Sequence, residues 1–134
     1  MTSLHMGTSS WKYDSWRGLV YSRAPQIDYL AEYAGHYDCV EVDQWFWSLF
    51  PPDKIVLPKP QTVADYARAV PASFRFGVKL PNSLTLTHFY RESKTDPLVP
   101  NPHFLSLDLL TQFLERIEPL HSRLGPLMYQ FEYL

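Results

Sequence analysis

The stretch VEVDQWFWSLF, from Val40 to Phe50, decides how this chain folds. Side chains on a strand alternate between two faces, so Val40 and Val42 point one way and Glu41 and Asp43 the other. A strand covered by helices on both sides is apolar throughout. This one has an apolar face and an acidic face, and a Trp-Phe-Trp cluster follows at once.

The same division runs through three other apolar segments: LHMGTSS (Leu4 to Ser10), FRFGVKLP (Phe74 to Pro81) and PLMYQFEYL (Pro126 to Leu134). In the third segment Phe74, Phe76, Val78 and Leu80 share one face, and Arg75, Gly77 and Lys79 the other. In the fourth, Leu127, Tyr129, Phe131 and Tyr133 oppose Met128, Gln130 and Glu132. Helical spacing fills the gaps. Pro25 suits the start of PQIDYLAEYAGHY, Thr62 a cap in QTVADYARAVP, and Asn101 a cap for NPHFLSLDLLTQFLERIEPL. The order βαβαβαβ implies parallel strands. An open doubly wound sheet and a closed barrel both accept it. MGTSSW has one glycine where a dinucleotide-binding turn needs three. One-sided polarity favours the barrel, with helices on the apolar face and a lumen on the polar one. The predicted fold is therefore α/β, a parallel (β/α) TIM-barrel type represented by its first four βα units, a half barrel in one domain over residues 1–134.

Composition narrows the function classes. The chain has 134 residues, 46% hydrophobic and 16% aromatic, which suits a folded core and not disorder. A net charge of -2 offers no basic surface for nucleic acid. No apolar run approaches the ~20 residues of a membrane span, and no signal peptide opens the chain. A single cysteine, Cys39, cannot form an internal disulfide, which points to the cytoplasm.

Two connections exceed the usual βα loop: QWFWSLFPPDKIVLPKP after the second strand and NSLTLTHFYRESKTDPLVPNP after the third. Both leave carboxyl ends of strands, where α/β folds build their sites. Glu41, Asp43 and Lys79 are the leading candidates, as an acid–base pair with an electrostatic partner. The two carboxylates also suit a divalent metal. The plain alternative is an ion-pair network filling a polar lumen. His88 is a further acid–base candidate. Ser9, Trp11, Lys12, Tyr13, Trp16 and Arg17 follow the first strand, Trp45 heads the second loop, and Gln130 ends the fourth strand. These are candidates for hydrogen bonds to a ligand and for stacking on it. The alternative for the aromatics, including Phe46 and Trp47, is a plug of the barrel top.

GTSSWKYDSWRGLVY, VEVDQWFW, FRFGVKLPNSLTLTH and RLGPLMYQF resemble, in that order, motifs of the YecE-like family, domain of unknown function 72. The resemblance implies a TIM-barrel-like fold about twice this length and no assigned activity, with an analogy to sugar isomerases. Three departures stand out. Ser10 replaces a common glycine, Asp43 a common asparagine, and Trp45 and Trp47 smaller residues. The family's later motifs are also absent after Leu134, so the chain reads as a fragment, or as a half barrel completed by a second copy. Three functional readings follow: an enzyme on a small carbohydrate-like or phosphorylated ligand, a noncatalytic binding module for single-stranded nucleic acid or another ligand, and an inactive truncated half.

Overall fold

The computed structural model describes residues 1–132, so Tyr133, placed above on the fourth strand, lies outside the described residues. In chain order the elements are β1 (Gly7–Ser9), α1 (Tyr29–Tyr33), β2 (Cys39–Val42), β3 (Leu49–Phe50), β4 (Lys54–Ile55), α2 (Pro60–Ala69), β5 (Arg75–Lys79), α3 (Asn82–Thr85), α4 (Leu107–Arg116) and β6 (Leu124–Met128). Short 3-10 turns cover Asp14–Trp16 and Glu118–Arg123. The strands β1, β2, β5 and β6 form one sheet in that order, every neighbouring pair parallel.

The alternation in the sequence sets the two faces. Val40, Val42, Phe76 and Val78 are almost fully buried and pack with Leu30 and Tyr33 of α1, Val63 of α2 and Phe113 of α4. The side chains between them, Glu41, Arg75 and Lys79, lie half-buried on the other face. That face forms an open trough of about 850 Å³ crossing all four strands.

Two residues fasten the first strand. The buried Tyr33 hydroxyl accepts from the Thr8 amide at 2.8 Å and donates to the Cys39 carbonyl at 2.9 Å, joining β1 to β2. Gly7 sits so close to β2 that a Cβ there would lie 1.9 Å from the Cys39 carbonyl oxygen. Just beyond β1 the chain turns through Ser10 at φ 58, a left-handed conformation that glycine adopts more readily than serine.

Four boundaries differ from the sequence reading. Helix α1 begins at Tyr29, not Pro25, because Asp28 caps it, its carboxylate accepting from the Leu30 and Ala31 amides. Helix α2 begins with Pro60 at its first turn, where a missing N–H costs nothing, and not with Thr62. Helix α4 is capped by Ser106, whose hydroxyl accepts from the Leu109 amide; Asn101 is occupied elsewhere. The last strand starts two residues early at Leu124 and stops at Met128, so Gln130 lies past its end. A bulge inserts one residue of β6 between the Phe76↔Leu124 and Val78↔Leu127 pairs. Pro126, which has no amide hydrogen for the ladder, falls inside it.

Candidate functional site

The long loops after β2 and β5 are folded against each other. In the first, β3 and β4 pair antiparallel as a small hairpin. Asn82, three residues past β5, holds the other loop to it. Its amide donates to the Phe46 carbonyl at 2.7 Å, and its side-chain oxygen accepts from the Ser48 and Leu49 amides at 2.9 and 3.0 Å. The Ser48 and Ser83 hydroxyls meet at 2.6 Å in a fully buried contact. Asn101 Nδ2 donates to the Ser83 and Leu86 carbonyls, which explains why it does not cap α4. Leu49, Leu86 and Phe89 add a small apolar core under the rim.

At the carboxyl ends of β1, β2 and β5 this scaffold brings four polar side chains together. Lys79 Nζ lies 3.6 Å from Glu41 Oε1. Ser9 Oγ is 3.3 Å from both Glu41 Oε1 and Asp43 Oδ2. Ser9 has one hydroxyl hydrogen, so it serves one carboxylate at a time. The geometry follows from register: Ser9 pairs with Glu41, and Gly77, one residue before Val78, pairs with Glu41 on the other side. Lys79 Nζ also stands 5.6 Å from the Phe46 ring centre, a cation–π contact. Two carboxylates in reach of a single hydroxyl, one of them beside an ammonium, can accept and return protons, or hold several hydroxyl groups of a ligand.

The other sequence candidates divide sharply. Tyr13 stays beside the cluster, donating its hydroxyl to the Ser9 carbonyl at 2.7 Å and packing on Trp16. Trp11 is only 3% exposed and meets Tyr66 edge-on, so its ring is core and presents no stacking face. Trp45 is buried likewise, stacked on Tyr66 and set edge-on to Phe113. Lys12 lines a different hollow, between α1 and α2, together with Asp28 and Asp65. Arg17 is consumed locally: it pairs with Asp14 at 2.6 Å and donates to the Ala24 carbonyl and the Tyr29 hydroxyl. Arg17 and Tyr29 hold the Asp14 carboxyl below its ordinary range. His88 accepts or donates through Nδ1 at Thr87 and lines a second cavity of about 540 Å³, which Glu41 and Asp43 do not border and in which it is joined by Arg91, Glu92 and the rim residue Tyr90. Gln130 is exposed past β6. Arg75, read as structural, donates to the Ala72 and Phe74 carbonyls at the opposite end of its strand. Among the described residues no group of three or more His, Cys, Asp or Glu gathers to hold a metal, so Glu41 and Asp43 stand as a pair.

Sequence reading missed Asn82 and Tyr90. Asn82 directly follows a Leu-Pro strand end, and an amide there is a ready loop clamp. Tyr90 packs 5.6 Å from Trp47, and Trp47 in turn meets Phe46 edge-on at 5.3 Å. Burial, followed by the charge of Glu132, pushes the Tyr90 hydroxyl up from its usual range.

Comparison with known proteins agrees with this fold. The family "Protein of unknown function DUF72" matches residues 5–133. The chain is 30% identical over 122 residues to the UPF0759 protein YecE of Escherichia coli K12, covering 91% of this chain and 35% of that protein. A crystal structure of a DUF72 family protein from Enterococcus faecalis V583 superposes with a TM-score of 0.59 at 26% identity, covering 93% of this chain and 38% of that one. One from Thermotoga maritima MSB8 gives 0.58 at 24% identity, over 96% and 44%, a likeness of fold. The chain thus spans about a third of the length of the curated relatives it matches. Among the described residues no helix is long and apolar enough to cross a membrane. The match across nearly its whole length places this chain in the DUF72 family.

Proposed function

We propose that Ser9, Glu41, Asp43 and Lys79 form the acid–base centre of a barrel-type enzyme acting on a small polar ligand, carbohydrate-like or phosphorylated. One observation carries this reading: two carboxylates and an ammonium converge at the carboxyl end of a parallel sheet, Glu41 and Lys79 at 3.6 Å and both acids within 3.3 Å of one serine hydroxyl. Carboxyl ends of parallel strands are where such folds bind and transform ligands. Glu41, the better placed for exchange with Lys79, acts as the proton-transfer group. Asp43 orients the ligand through hydrogen bonds, and Lys79 balances the charge that develops. The noncatalytic nucleic-acid reading is weakened by the burial of Trp11 and the local commitment of Arg17. In the same proposal the four strands are part of a closed barrel, in which β1 and β6 pair with further strands. Light scattering of the purified chain tells whether a second copy supplies them: a dimer supports that arrangement, and a cooperative monomer rules it out.

The enzymatic reading is tested by incubating the chain with a small-molecule extract and following depletion by mass spectrometry. Wild type is expected to consume at least one compound, and Glu41→Gln, with an unchanged circular dichroism spectrum, none of it. Equal consumption by Glu41→Gln removes Glu41 from the mechanism, and no consumption by wild type overturns the enzymatic reading.

A further inference from the structure

The structure removes most of the positive charge that the sequence offered to a ligand. Lys12 sits in another hollow beside Asp28 and Asp65. Arg17 is bound to Asp14 and to carbonyls of its own loop. Arg75 is fixed at the far end of β5. Arg91 donates to the Lys94 and Asp96 carbonyls, and Arg91 and Lys94 share their cavity with Glu92 and Glu132. What remains at the cluster is Glu41, Asp43 and Lys79, two negative charges against one positive, with the ammonium already paired. Such a centre repels phosphate and attracts hydrogen-bond donors, which carboxylates accept strongly.

Beside it runs an aromatic strip. Phe46 is buried under Lys79, and Trp47 and Tyr90 extend outward from it with ring centres 5.3 and 5.6 Å apart. Trp47 is 58% exposed and Tyr90 48%. Both belong to loops that Asn82 and the Ser48–Ser83 contact pin to the sheet end. An exposed tryptophan on a pinned loop is a flat apolar face held in place, which suits the C–H face of a ring whose edge carries hydroxyls.

Resting on the function proposed above, we infer that the ligand is a neutral, hydroxyl-rich ring compound of the unphosphorylated sugar type, its hydroxyls on Glu41 and Asp43 and its apolar face on Trp47 and Tyr90. The test titrates the 134-residue chain with D-glucose, D-xylose, methyl glucoside and glucose 6-phosphate, read by saturation-transfer NMR and tryptophan fluorescence. At least one neutral sugar should bind saturably, with glucose 6-phosphate at least tenfold weaker than glucose. Trp47→Ala should weaken the neutral sugar at least tenfold and Tyr90→Ala severalfold, with circular dichroism confirming the fold. Tighter binding of the phosphorylated sugar overturns the inference, as does the absence of binding by every neutral sugar, or an unchanged affinity in Trp47→Ala. A phosphate-preferring site whose affinity still falls in Glu41→Gln sinks the ligand class alone. Sugar binding that is indifferent to both Glu41→Gln and Asp43→Asn sinks the acid–base centre itself.

Discussion

Replacing Glu41 and Lys79 together separates a working site from a structural ion pair. At 3.6 Å their attraction is about 1 kcal/mol at the dielectric of water and roughly 4–5 kcal/mol at an effective value of 20. Their side chains are 30% and 18% exposed, so the pair lies between these limits, and desolvation offsets much of the gain. The single substitutions are unequal. Lys79→Met leaves Glu41 and Asp43 sharing the one hydrogen of Ser9 with no cation beside them, and should cost about 1–2 kcal/mol. Glu41→Gln leaves Lys79 near Phe46 and should cost no more than about 0.5 kcal/mol. The double variant removes one charge of each sign and should be as stable as wild type or more so, a coupling of at least about 1–2.5 kcal/mol. Groups held for chemistry give up stability in this way. The assay is urea unfolding followed by tryptophan fluorescence, with unchanged slopes. A double variant less stable than wild type would refute the reasoning and mark the pair as a structural support, and strictly additive losses would show that Glu41 and Lys79 do not interact at all.

Three further outcomes follow from the geometry. Gly7→Ala should destabilise by about 2–3 kcal/mol, since its Cβ meets a backbone carbonyl at 1.9 Å, while Gly77→Ala, with its nearest neighbour at 3.7 Å, should stay within about 0.5 kcal/mol; urea unfolding that ranks them the other way contradicts the β1–β2 approach. Asn82→Ala strands the buried Ser48 and Leu49 amides and should cost about 2–4 kcal/mol, with faster hydrogen exchange confined to the loop after β2; exchange unchanged there would show that Asn82 is not the clamp. Burial pushes the Tyr21 hydroxyl, which donates to the Trp11 carbonyl, up from 10.0 to about 12. The neutral phenol is the form the fold favours, so this stabilisation is complete below pH 10 and lost as pH rises toward 12, at most about 3 kcal/mol. Tyr21→Phe should be less stable at neutral pH yet show a flatter decline across that window, and parallel stability profiles would exclude the assignment.

Much of this was legible in the sequence because period-two alternation is a strict geometric rule. It placed Val40, Val42, Phe76 and Val78 inside and Glu41 and Lys79 on the opposite face, and the structure agrees. The helix starts were not legible because several competent caps competed. Asn101 and Thr62 are as good on paper as Ser106 and Pro60, and only the tertiary demand for Asn101 amide hydrogens decided the matter. The aromatics were the hardest to read. Trp11 and Trp45 differ from Trp47 in nothing that composition reveals; their fates depend on Tyr66 of α2, more than fifteen residues distant, which takes both rings into the core. The start of the last strand was misread because Pro126 looks like a boundary, whereas it fills a bulge.

The clamp made by Asn82 has a kinetic consequence. By accepting from one rim loop while its own amide donates to that same loop, it turns two long connections into one body fixed to the sheet. A ligand arriving at Glu41 and Asp43 then meets a floor and wall that are already assembled, and little ordering entropy is lost on capture. Association should run near the rate set by diffusion and orientation, with differences in affinity among ligands expressed almost wholly in how slowly each one leaves.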